Sequence, residues 1–260
     1  MSVKSPDVWK ANLERTKKTM ETFREQAQLC ALILKTMWQM KDKLMNTIVT
    51  KWRRKELPPH RQFVAIYFIR NIMYLQGAYL LGCGSLCEPS RDLLRTVMET
   101  LMRGYLFIVN RKEANLMYAK VEGTITPEDR DFLQKRKYWP FNFLLGELYA
   151  KETRKKLKKV VERLSRSSHP SIMSAFVDLD YSEEGVKDCL DFILAFSYHN
   201  IQMTAESFLS FFDKDFKDAI KATMKKIADF QKVIMILAPD KEKYSRRIEL
   251  KRGNFLQVLN

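Results

Sequence analysis

The run Phe63-Val-Ala-Ile-Tyr-Phe-Ile-Arg-Asn-Ile-Met-Tyr-Leu-Gln-Gly-Ala-Tyr-Leu-Leu81, continued through Gly82-Cys-Gly-Ser85 to Ile108, decides the fold. Apolar residues fall on nearly every side of its first half, which is the pattern of a helix buried against several neighbours. Arg70, Asn71 and Gln76 interrupt it. Three polar groups near the middle would be costly in lipid, so a soluble core helix is expected rather than a membrane span. Gly82-Cys-Gly-Ser85 predicts a break, and Glu88-Pro-Ser-Arg-Asp92 predicts a new start, with Pro89 in a first turn that tolerates a missing N–H. The two segments should form an antiparallel hairpin. In the second, Leu94, Val97, Leu101, Tyr105 and Ile108 recur at three- and four-residue steps. Arg91, Arg95, Glu99 and Arg103 recur every four residues on the other side. The plain reading of that ladder is a solvated face with intrahelical ion pairs, each contributing about 0.2–0.5 kcal/mol.

The rest of the 260-residue chain agrees with an all-α class, because it holds only 8 Gly and 8 Pro and no alternating run bounded by turn signals. Before the hairpin, Ser5-Pro-Asp-Val-Trp predicts a helix start, and one long or two collinear helices run to about Lys55, where Pro58-Pro59 stops them. Trp9, Leu13, Met20 and Phe23 form a thin apolar stripe there that would suit pairing with another subunit. After the hairpin, 110–137 reads as a polar excursion with one small helix capped by Thr126-Pro-Glu-Asp. A helix opening at Tyr138-Trp-Pro-Phe changes its apolar side near Thr153, so it is bent or changes neighbours there. Tyr181-Ser-Glu-Glu caps a long helix to about Phe212, and Asp213 starts another that Pro239 ends. The organisation expected is an N-terminal helical extension over 1–58, a helical-bundle core over 59–238 and a basic tail over 239–260.

Charge narrows the partners. Against 31 Asp plus Glu stand 46 Lys plus Arg, a net charge of +15 and a pI near 9.6, which favours an anionic partner such as RNA or a ribonucleoprotein. The densest positive stretch is Lys151-Glu-Thr-Arg-Lys-Lys-Leu-Lys-Lys159. Lys151, Arg154, Lys155, Lys156, Lys158 and Lys159, with Arg166 beyond, are the candidate RNA-binding residues, and a shared phosphate track would make binding strongly salt-dependent. Four scattered cysteines and three histidines give no zinc pattern, and no metal or cofactor is expected. The charged N-terminus lacks a signal-peptide apolar region, so a cytoplasmic protein with reduced thiols is expected. His199, in an aromatic-rich helix, reads as a core residue; His60, after two prolines, reads as solvated.

The chemically suggestive pair is Arg163 and His169. Pro170 biases His169 away from helical geometry, so the helix should end before it and the imidazole can fold back toward the guanidinium. An imidazole can serve as general base or acid when a 2′-OH attacks its own phosphodiester, with a guanidinium stabilising the five-coordinate phosphorus.

Arg163-x5-His169, in Leu164-Ser-Arg-Ser-Ser-His-Pro-Ser171, together with Ser90-Arg-Asp-Leu-Leu-Arg-Thr-Val-Met-Glu99, resembles the Arg-x4–6-His pattern of the HEPN superfamily over about 63–212. The resemblance implies a four-helix core with extra terminal helices and a metal-independent endoribonuclease of toxin or defence type. It also implies a homodimer that brings two motifs to one cleft, and a neutralising partner protein. It would make His169 the acid and base, Arg163 the phosphate stabiliser, and Arg95 with Glu99 supporting polar residues inside the bundle. The chain departs from the pattern at Leu164, where a polar residue is usual. The alternatives are a non-catalytic RNA- or ribosome-binding protein and an assembly or scaffold protein.

Overall fold

The computed structural model describes residues 8–54, 56–135, 141–165 and 182–230, and every regular element among them is helical. Helices α1 (Val8–Thr22) and α2 (Arg24–Arg53) lead into the hairpin α3 (Pro59–Cys83) and α4 (Cys87–Val109). Then come α5 (Arg111–Val121), α6 (Pro127–Lys135), α7 (Phe141–Leu148) and α8 (Lys151–Ser165). The long α9 (Glu183–Phe208), a 3-10 turn (Leu209–Phe211) and α10 (Lys214–Phe230) complete the described chain.

The starts follow from local chemistry. Pro59 occupies the first turn of α3. Thr126 Oγ1 accepts from Asp129 N at 3.1 Å, Ser182 Oγ from Gly185 N at 3.1 Å, and Asp213 Oδ1 from Phe216 N at 2.8 Å. Each thereby satisfies an N–H that a helix leaves unbonded. The hairpin turns through Ser85, whose φ of 62° lies in the left-handed region.

Four helices, α2, α3, α4 and α9, make the core, and the rest are laid upon it. Ile33, Met37 and Met40 of α2, Phe68 and Ile72 of α3, Leu101 and Tyr105 of α4, and Phe196 and Phe208 of α9 are all buried. Burial contributes about 1.5–3 kcal/mol for each such apolar side chain. Helix α4 approaches α9 closely because Gly104 has no side chain, leaving room for the Met203 sulfur. In the middle of this core Thr100 Oγ1 donates to Asn71 Oδ1, Asn71 Nδ2 donates to Asn200 Oδ1 at 3.1 Å, and Asn200 Nδ2 reaches Phe68 O at 3.4 Å. One side chain each from α3, α4 and α9 thus closes a fully buried polar cluster.

Helix α2, whose Leu29-to-Trp38 run is apolar enough in sequence to be core, is a wall of the core, with Ala27, Cys30, Ile33, Leu34, Met37, Met40, Leu44 and Ile48 forming a continuous apolar face. Several expectations change. Residues Arg111–Val121 are not a polar excursion: α5 packs on α3 and α4, burying Ala114 and Leu116. The change of apolar side is a true break at Tyr149-Ala150, where Tyr149 turns inward and is buried, and α7 and α8 both lie on α4. Helix α1 rests on α2 and α3, with Leu13 exposed. Among the described residues α3 alone is long and apolar enough to cross a bilayer; it lies against α2, α4 and α9, with Ile66, Met73 and Leu80 exposed.

Candidate nucleic-acid interface

The site is built on α8 because that helix has two unlike sides. Leu157 and Leu164 are buried and Val160 and Val161 half-buried, which fixes one side against α4. Lys151, Lys155, Lys156, Lys158 and Lys159 are all exposed. From Lys151 to Lys159, at 1.5 Å per residue, this basic track is roughly 12 Å long. Only Lys155 among them has a described anionic partner, Glu152 Oε1 at 3.2 Å, and both side chains are largely in water. Exposed pairs of that kind contribute little and leave the cation free to exchange partners. Arg154 is half-buried, and its Nε is shielded from water with no hydrogen-bond partner among the described residues.

At the C-terminal end of the track, Arg163 Nη2 donates to Asp188 Oδ2 of α9, and its guanidinium lies 5.7 Å from the centre of the Phe192 ring. Arg91 Nη2 of α4 stands 3.9 Å from the same carboxylate oxygen. Two guanidinium groups therefore share one carboxylate, leaving one positive charge over where α4, α8 and α9 meet. Arg163 is half-exposed while Asp188 is mostly covered, so the excess charge faces outward. Asp188, Arg91 and Phe192 were not among the sequence candidates. The available signal was the acidic spacing Glu184, Asp188, Asp191 along α9, which places carboxylates on one side of that helix.

Arg95 and Glu99 do not sit inside the bundle. They are half-exposed on α4, with Arg95 Nε 3.4 Å from Glu99 Oε1 and Arg103 Nη2 4.0 Å from Glu99 Oε2. The interior polar positions are taken instead by Asn71, Thr100 and Asn200, whose short uncharged side chains satisfy one another without burying a charge. No described contact joins Arg95 or Glu99 to Arg163. Leu164, the departure from the HEPN pattern, is fully buried and anchors α8. His169 and Arg166, together with the tail from residue 239, lie outside the described residues.

His199 is buried as expected. His60 is not solvated: it is half-buried, and burial, then the charges of Arg111 and Arg61, push its pKa down to about 4. Among the described residues no group of three or more His, Cys, Asp or Glu could hold a metal ion. No protein-family model, curated protein or solved structure matches the chain. The family resemblance therefore rests on the residues quoted for it.

Proposed function

We propose that this protein is a cytoplasmic, HEPN-like RNA-binding protein that works as a homodimer and takes the phosphate backbone along the exposed side of α8. The carrying observation is the run of five exposed lysines on a helix whose opposite side is fixed by buried Leu157 and Leu164. A rigid cationic track releases counterions on meeting a polyanion, which favours binding without sequence preference. The shared Asp188 leaves Arg91 and Arg163 with spare positive charge for a phosphate at the end of that track.

The sharper form of this reading is metal-independent endonucleolytic cleavage. His169 would accept the 2′-OH proton as that oxygen attacks phosphorus and, as acid, return a proton to the departing 5′-oxygen, giving a 2′,3′-cyclic phosphate, with Arg163 stabilising the phosphorane charge. One observation favours binding without cleavage: Asp188 already takes the Arg163 guanidinium.

Incubating total RNA in EDTA with wild-type protein and with His169→Ala, then running a gel and analysing new ends, tests both forms. The expected result is retarded RNA with both proteins. Cyclic-phosphate ends lost in the variant would establish cleavage. RNA that is neither retarded nor cut would overturn the RNA reading.

A further inference from the structure

The four cysteines, at 30, 83, 87 and 189, are scattered in the chain yet collect at one end of the bundle. All are buried and none is disulfide-bonded. Cys30 Sγ lies 3.6 Å from Leu190 O, the carbonyl of the residue after Cys189. Cys83 ends α3 and Cys87 opens α4 across the hairpin turn.

Within this group Cys87 and Cys189 form a distinct pair. The Cys189 thiol donates to Cys87 O, with Sγ 3.7 Å from that oxygen. The absence of side chains makes that approach feasible on two sides. A Cβ at Gly185, one turn before Cys189 on α9, would stand 3.0 Å from the Cys87 sulfur. A Cβ at Gly82 would stand 3.2 Å from Cys189 Cβ. The first turn of α4 is thus seated directly on the first two turns of α9, with the two sulfurs between them.

We propose that Cys87 and Cys189 are a site of reversible oxidation, forming an intramolecular disulfide when the protein meets a two-electron oxidant of the hydroperoxide class. In the first step the Cys189 thiolate attacks one peroxide oxygen. The O–O bond breaks, hydroxide leaves and is protonated to water, and Cys189 becomes a sulfenic acid. Cys87 sulfur then attacks the sulfenic sulfur, the S–O bond breaks, and a second water leaves. Two thiols and one hydrogen peroxide give one disulfide and two waters.

The environments assign the roles. Hydrogen bonds from Cys87 and from Ser90, together with the Arg91 charge, hold the Cys189 thiol below its usual pKa despite burial. Burial instead raises Cys30 well above that value and pushes Cys83 up to about 11, so those two stay protonated and unreactive. Cys189 is fully buried beneath Cys87, the first residue of α4, so the oxidant reaches it only when that first turn opens, which a helix end does at low cost. The disulfide would tie together the two segments that carry Arg91 and Asp188, one turn after Cys87 and one residue before Cys189. It is independent of whether RNA is the ligand.

The full-length protein is treated with hydrogen peroxide, blocked with iodoacetamide and digested without reduction for peptide mass spectrometry. The expected result is a linked Cys87–Cys189 peptide pair that dithiothreitol separates, with Cys30 and Cys83 alkylated. The oxidised protein should melt several degrees higher, and Cys83→Ser should leave the linkage intact. In Cys87→Ser, Cys189 should advance to sulfinic acid for want of a resolving thiol. Linkage through other cysteines, links only between chains, or a Cys189 that stays unmodified in the wild type would each overturn the proposal.

Discussion

Two polar clusters tie α4 to α9, and they differ in what they leave over. Asn71, Thr100 and Asn200 sit in the core, bonded to one another and, through Asn200 Nδ2, to the Phe68 carbonyl. Arg91, Asp188 and Arg163 sit roughly 18 Å away along α9, 12 residues at 1.5 Å each, and carry one cation too many. A closed cluster can only hold the fold, because nothing remains to offer a ligand. An open one, whose outer guanidinium on Arg163 is half in water, contributes little to stability but keeps charge available. The comparison separates the residues that build this protein from those expected to act.

Breaking the closed cluster should have the largest effect. Asn71→Leu removes the donor to Asn200 Oδ1 inside the core and should cost about 2–3 kcal/mol in urea unfolding. The double variant Asn71→Leu/Asn200→Leu should cost less than the sum of the single changes, because removing both partners leaves fewer orphaned groups. Strict additivity would show that the two residues do not act as a unit.

His60 sharpens the comparison from the other end, as a place where positive charge is unrelieved. Its pKa is about 4 in the folded chain and 6.5 ordinarily, so the unfolded chain takes up a proton first as pH falls. Stability is then lost progressively from pH 6.5 to about 4 and levels off below, where both states are protonated. Discounted for partial exposure, the loss should be about 1–2 kcal/mol. His60→Gln should flatten that portion of the stability profile, measured by thermal melts across pH.

Opening the rim cluster further should have the smallest effect on stability. Asp188→Asn leaves Arg91 and Arg163 without their shared anion, at a cost of about 0.5–1 kcal/mol. RNA affinity at low salt should rise two- to threefold, read by filter binding. A fall in affinity would mean that Asp188 positions Arg163 for the ligand rather than competing with it.

What was legible in the sequence was local. The hairpin from α3 to α4, the caps at Thr126, Ser182 and Asp213 and the two-sided character of α8 follow from patterns within one or two turns. The pairing of Arg163 with Asp188 was not legible: the residues lie 25 apart, on helices whose approach depends on how α4 receives both. The cysteine cluster escaped for the same reason, its members coming from α2, α3, α4 and α9. Helix α5 was misread because its short apolar face, Ala114 and Leu116, is small beside its charged residues. Arg95 and Glu99 were assigned to the interior by family resemblance, whereas their charges keep them at the rim.

The α8 track is tested most directly by fluorescence anisotropy of a labelled single-stranded RNA across a salt series. Wild-type protein is compared with a Lys155→Gln/Lys158→Gln/Lys159→Gln variant. The expected result is a wild-type affinity that falls steeply with salt, and a variant at least about tenfold weaker with a log–log salt slope shallower by roughly 2, its melting temperature unchanged. Equal affinities and equal slopes for the two proteins would contradict an RNA interface on α8.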